Sequence, residues 1–321
     1  VVVRRGIVPI KPLGLGDVLE GAFRAIRHNP RVMIGLTLLV VIVTTAVSVL
    51  PASLGLAVLV PLDAADAPVD VDPVSLVSAL LGLLGASVIG WLGAVVVTGL
   101  LTVSVSESVI DRRIGLMEAW RRARGRLLPL AVQGLLLAVV LFPAAVLAFA
   151  VVVGGILIGA VAGGNAAGVA GGVAGAIIGL VVTLPAGLPV VWLTVRWSLA
   201  PVPLVLERAS VLGALGRSWR LVRGKFWRTL GILLLANVLI SIIAQIITTP
   251  VAIAGGILPA LAPESQALLV GSLALTYGVS SLVGVLIYPF LAAVVTLLYI
   301  DRRIRTEALD IALNRSLTGP P

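Results

Sequence analysis

Polar residues in this chain come in clusters, and between the clusters lie runs of nearly unbroken hydrocarbon. The apolar stretches cover about Val32 to Val60, Val74 to Ile110, Leu127 to Ala162, Val169 to Leu206, Leu230 to Leu261 and Ala267 to Ile300. Each exceeds the roughly 20 helical residues that cross a bilayer. The pattern predicts an all-α, polytopic membrane protein with six transmembrane helices. The surplus length calls for tilt, for kinks at Pro51, Pro143, Pro185 and Pro250, or for a broken helix. Eight membrane segments are the alternative count.

The polar clusters resemble one another. "LEGAFRAIRHN" from Leu19, "LMEAWRRARGR" from Leu116 and "LGRSWRLVRGK" from Leu215 share L-x-x-x-[FW]-R-x-[IAV]-R, and each leads into an apolar run. They lie roughly 100 residues apart, a period that marks an internal repeat. Each pair of runs closes with an acid and a base: "IDRR" from Ile110, "LERA" from Leu206 and "IDRR" from Ile300. The expected organisation is a tail at 1–13, then three parallel hairpin repeats at 14–113, 114–208 and 209–321, each preceded by a basic amphipathic interfacial helix. With 3.6 residues per turn, Leu215, Trp219, Val222 and Phe226 share one stripe, with Arg217, Arg220 and Arg228 on the flank or opposite face. Leu19, Phe23 and Ile26, and Leu116, Trp120 and Leu127, repeat that stripe. Such helices suit the membrane surface, either as plain anchors or as recognition sites for a partner or lipid. Arg27, Arg124 and Arg223 stand four residues after the aromatics, at the stripe's edge. They are expected to pair with the closing acids Asp111, Glu207 and Asp301 in an interfacial clasp.

Composition agrees with the membrane reading. Apolar residues make up 60% of the chain and charged ones 12%, and the mean hydropathy is +1.18. The net charge of +9 raises the question of nucleic acid, but placement answers it. Of 23 Lys and Arg, all but Arg196 lie before Val32, between Arg112 and Arg126, between Arg208 and Arg228, or after Asp301. The connections "PLDAADAPVDVDP", "GGNAAG" and "LAPESQ" hold no Lys or Arg. That asymmetry predicts both termini in the cytoplasm, with anionic lipid headgroups and a membrane-protein partner, not nucleic acid, as the contacts of the basic flanks. Arg far outnumbers Lys among abundant Ala, Val and Gly, which points to a bacterial plasma membrane. The chain begins at Val1, and its first apolar run is read as a true span, not a signal peptide.

Two further patterns concern the interior. Gly155, Gly159 and Gly163 recur at fours near the end of the third run, and Gly171, Gly175 and Gly179 near the start of the fourth. They predict two small-residue ridges packed across one turn. Arg196 would lie about 16 Å of helix before Glu207, well inside the bilayer. Glu107 and the carbonyls left without donors by Pro201 and Pro203 are its candidate partners. Gln133, Asn237 and Gln245 complete a candidate intramembrane polar site.

Reactive groups are few. There is no Cys, and His28 is the only His, so neither a His-pair metal site nor a Ser/His/Asp system can be assembled. Asp63, Asp66, Asp70 and Asp72 share one loop, but the Gly and terminal Glu of a calcium loop are missing. No cofactor and no enzymatic activity are expected.

The segment "VRWSLAPVPLVLERASVLGALGRSWRLVRGKFWRTLGILLL", with "KPLGLGDVLEGAFRAIRHNP" and "LLYIDRRIRTEALDIAL", resembles actinobacterial members of the membrane-domain family named after glycerophosphoryl diester phosphodiesterase. The likeness is most specific over Ala200 to Trp227. It implies a membrane fold and location without the hydrolase activity, since the catalytic domain is absent. The expected function is a non-catalytic membrane scaffold or accessory subunit, and the alternative is a transporter or lipid-handling protein with a polar path near Arg196.

Overall fold

The computed structural model describes residues 7–8, 12–59, 73–161, 177, 181, 187–261 and 265–307. Among them every regular element is helical: α1 (Leu15–His28), α2 (Pro30–Leu59), α3 (Pro73–Val109), α4 (Leu116–Ala123) and α5 (Leu127–Val161). Then come α6 (residues 187–197), α7 (Pro201–Leu206), α8 (Val211–Val222), α9 (Phe226–Leu261) and α10 (Gln266–Glu307). Six helices are long and apolar enough to cross a membrane. Helix is the form that such sequences must take in lipid, because it satisfies every backbone N–H and C=O within the segment.

Short polar signals set the element ends. Asp17 accepts the Gly14 N–H at 2.8 Å, and Ser210 Oγ accepts the Gly213 N–H at 3.2 Å, so α1 and α8 both start on a side-chain cap. At the end of α3, the Arg112 N–H reaches back to the Glu107 carbonyl (2.9 Å) and Asp111 turns left-handed, at φ 64°. A similar wrap, one residue longer, closes α7, where the Ala209 N–H meets the Pro203 carbonyl at 3.3 Å and Arg208 has φ 53°.

The two copies of IDRRI therefore fold differently. Ile110–Ile114 is a reversal out of α3, whereas Ile300–Ile304 continues as helix inside α10. Their neighbours explain the split. Four residues after Asp301 stands Arg305, which bonds back to it at 2.7 Å; four residues after Asp111 stands Gly115, which serves as the N-cap of α4.

The bundle centres on α3 and α10. α2 packs on α3, α9 on α10, and these central helices pack on each other, while α1 lies on α10 and both α5 and α7 lie on α3. Hydroxyls link the spans: Thr102 and Thr296 meet at 3.2 Å, and Ser48 and Tyr277 at 2.6 Å. Gly99 permits a close α3–α5 approach, since a Cβ there would stand 2.4 Å from Leu130 Cδ1. By contrast, α9 turns Leu234, Val238, Ile242, Ile246 and Ile253 outward, an apolar face suited to lipid.

The break anticipated in a long run occurs at residues 198–200, where α6 ends and α7 begins at Pro201. Pro51 and Pro143 lie inside continuous helices, as does Pro289, and Pro250 falls within α9. Of the expected glycine ridges, Gly155 and Gly159 fall in the last turns of α5, while Gly163, Gly171, Gly175 and Gly179 lie outside the described residues. So do Pro185 and the loop acids Asp63, Asp66, Asp70 and Asp72.

Candidate functional site: the basic face and the Arg196 groove

The short helices α1, α4 and α8 lie on one end of the bundle, and small residues bring them close. Ala22, Ala119 and Ser218, each immediately before the aromatic of its helix, are fully buried. The aromatics sit on the flank: Phe23 is 42% exposed and leans on Phe290 at a ring distance of 4.7 Å. Leu215 and Val222 are buried as the stripe predicts, but Leu116 is half exposed.

Acids near the C-terminal ends of α3, α7 and α10 hold this face together through arginines other than those expected. Glu107 takes Arg122 Nη1 at 2.5 Å and Arg112 at 3.7 Å. Glu207 takes Arg217 at 2.5 Å and Arg303 at 3.5 Å, and accepts the Tyr299 hydroxyl. Arg217 also reaches Glu307 at 2.9 Å. Burial opposes the charge on Arg217, but the contacts with Tyr299 and Glu207 outweigh it and raise the guanidinium above its ordinary range.

The third cluster surrounds Asp301, which is fully buried. Its Oδ1 accepts the Leu13 N–H (2.8 Å) and Arg305 Nε (2.7 Å), and its Oδ2 accepts Arg228 Nη1 (2.9 Å). Arg228 and Arg305 each use Nη2 to bond the Leu13 carbonyl as well, at 2.5 and 2.9 Å. The backbone N–H and C=O of one residue of the N-terminal segment are thus both gripped, tying it to the start of α9 and the end of α10. Next to Asp301, the buried Arg302 donates to Thr229 Oγ1 at 2.9 Å and to the Lys225 carbonyl at 3.2 Å.

The expected clasp is therefore corrected in its members. Arg27, Arg124 and Arg223 are exposed and form no ion pair among the described residues, and neither does Asp111. Helix geometry gives the reason. Taking the buried residue before the aromatic as the origin, an Arg four after the aromatic lies about 140° around the helix, nearly opposite the bundle. Arg122 and Arg217, two residues after and before their aromatics, lie within about 60–100° and reach inward. The i,i+4 pair Asp301–Arg305 was readable from sequence spacing; the parts played by Leu13 and Arg302 had no sequence signal.

The intramembrane polar site is corrected too. The helix breaks at residues 198–200, just after Arg196, and the Arg196 carbonyl accepts Ser218 Oγ of α8 at 2.7 Å. Its guanidinium lies 4.9 Å from the ring centre of Trp192 and 4.6 Å from that of Trp219, two indoles nearly perpendicular at 88°. Nε and Nη1 are buried without a hydrogen-bond partner among the described residues, and Glu107 is engaged elsewhere. The side chain lines an open groove of about 660 Å³ with Leu188, Pro189, Val191, Trp192, Phe226, Trp227 and Leu230. Gln133 is fully buried, with both amide atoms unpartnered among the described residues, and it is not part of this groove's lining. Asn237 and Gln245 are exposed on α9; Asn237 donates to the Leu233 carbonyl at 2.8 Å and Gln245 accepts from Thr248 at 3.3 Å. These five side chains form no common site. Among the described residues no three His, Asp or Glu converge as a metal site requires.

A family model described as "Domain of unknown function (DUF7847)" matches residues 13–299, and the match makes no link to the phosphodiesterase membrane domains. No curated protein and no solved structure matches the chain.

Proposed function

The chain belongs to the DUF7847 family, and on that premise we propose that it is a non-catalytic integral membrane scaffold or accessory subunit of a bacterial plasma membrane. The basic face and both termini lie in the cytoplasm in this reading, and the three units of interfacial helix plus hairpin are internal repeats. The resemblance to the phosphodiesterase-linked membrane domains, strongest over Ala200 to Trp227, belongs to the same proposal.

One observation carries it. The carboxylates of Glu107, Glu207 and Asp301 are occupied by Arg122, Arg217, Arg228 and Arg305, and Arg27, Arg121, Arg124, Arg220 and Arg223 are exposed on or beside the short helices without an acidic partner among the described residues. A rigidly mounted array of unpaired guanidiniums suits an acidic segment of another membrane protein, since Arg forms planar two-point bonds with carboxylates. Transport has less support, because Asn237 and Gln245 face outward and do not continue the Arg196 groove into a path.

The test is photocrosslinking in the native membrane from a benzophenone side chain placed at Arg124 or Arg220. The scaffold reading expects a discrete protein adduct that disappears when the neighbouring Arg121 and Arg223 are changed to Glu. Adducts to lipid alone, at both positions, would refute it.

A further inference from the structure

We propose that the groove beside Arg196 is a binding site for one anionic phospholipid, with its phosphate on the Arg196 guanidinium and its acyl chains along Leu188, Val191 and Leu230. This inference does not depend on the scaffold role. It starts from an electrostatic imbalance: among the described residues no carboxylate lies within 4.0 Å of Arg196, and Nε and Nη1 are buried without a partner. A desolvated cation with unused donors is costly until an anion meets it. The faces of Trp192 and Trp219 stabilise the charge but accept no hydrogen bond along the guanidinium edge.

The rest of the groove indicates which anion. Apart from Arg196, every lining residue is apolar or aromatic, so a small hydrated anion would gain one bidentate contact and lose water against hydrocarbon elsewhere. A phospholipid fits both halves. The depth agrees as well: Phe226 and Trp227 begin α9, Trp227 is 81% exposed, and Ser218 of the short helix α8 bonds the Arg196 backbone. An exposed Trp at the end of a span belongs at headgroup level, where a lipid phosphate resides. The break at residues 198–200 is what brings the arginine to this level, because α6 ends beside α8 instead of running straight on.

The experiment is native mass spectrometry of the full chain in detergent, supplied with phosphatidylglycerol or phosphatidylcholine. One phosphatidylglycerol should be retained per chain in preference to phosphatidylcholine. Arg196→Gln should reduce that retention about tenfold or more, the scale of losing a charge-assisted pair. Val191→Trp, which fills the groove and keeps the cation, should do the same and serves if Arg196→Gln fails to fold. Arg31→Gln, an exposed arginine at the start of α2, should leave retention unchanged. Equal retention in Arg196→Gln or Val191→Trp would overturn the site, and an equal loss in Arg31→Gln would assign the effect to diffuse charge. Displacement of the lipid by millimolar glycerol phosphate would overturn the choice of a lipid over a free phosphate.

Discussion

Asp111 and Asp301 occupy the same place in identical pentapeptides, yet one is exposed at a left-handed turn and the other is fully buried under two arginines and a peptide N–H. Removing one partner of a buried, hydrogen-bonded charge leaves the others without compensation. Asp301→Asn should therefore destabilise the protein by about 3 kcal/mol, somewhat less if solvent at the partly exposed Arg228 and Arg305 screens the loss. Asp111→Asn should change stability by less than about 0.5 kcal/mol. Denaturant or thermal unfolding of the two variants in mild detergent makes the comparison, and similar effects would show that the burial of Asp301 has no energetic weight. The arginines expected at first, Arg27, Arg124 and Arg223, should not rescue Asp301→Arg when changed to Asp, because none of them touches it. Sequence could identify the acids as special but not their partners. The choice depended on which side of each short helix faces the bundle.

That side is an element-scale property, and the aromatics misdirected it. A wheel weighted by size puts Phe23, Trp120 and Trp219 at the centre of the stripe, whereas the buried centre is the small residue before each. Small side chains set how closely a short helix can lie on the spans beneath it, and hydropathy gives them little weight. Ala22→Leu and Ala119→Leu should thus each cost about 1–3 kcal/mol through overpacking, while the same change at a solvent-facing position, Arg121→Leu, should cost far less. A melting series that fails to separate buried from exposed sites would reject the close-packed orientation. The position of the helix break was hidden for a related reason. Pro201–Leu206 is as apolar as the spans and is buried against α3, so the hydrophobic run passes through the break without a change of pattern.

For the whole molecule, the legible part was the gross architecture: long apolar runs separated by basic clusters can fold in lipid only as spanning helices. Which spans form the centre was not legible, since α9 and α10 are similarly apolar in sequence, yet the most apolar stretch of α9 is mostly exposed and that of α10 mostly buried. The surroundings of Arg196 were not legible because distance along the sequence was converted to distance along an unbroken helix, whereas the helix breaks at residues 198–200. The account as a whole rests on orientation: the clasped face, with its unpaired arginines, must look into the cytoplasm, and the α9–α10 connection must look out. The absence of native cysteine makes this directly measurable. Single substitutions Arg124→Cys, Arg220→Cys and Ser265→Cys can be treated in intact cells with a maleimide that does not cross membranes. The account predicts labelling at position 265 before permeabilisation, and at positions 124 and 220 only afterwards. Labelling of 124 or 220 in intact cells, with 265 protected, would contradict it.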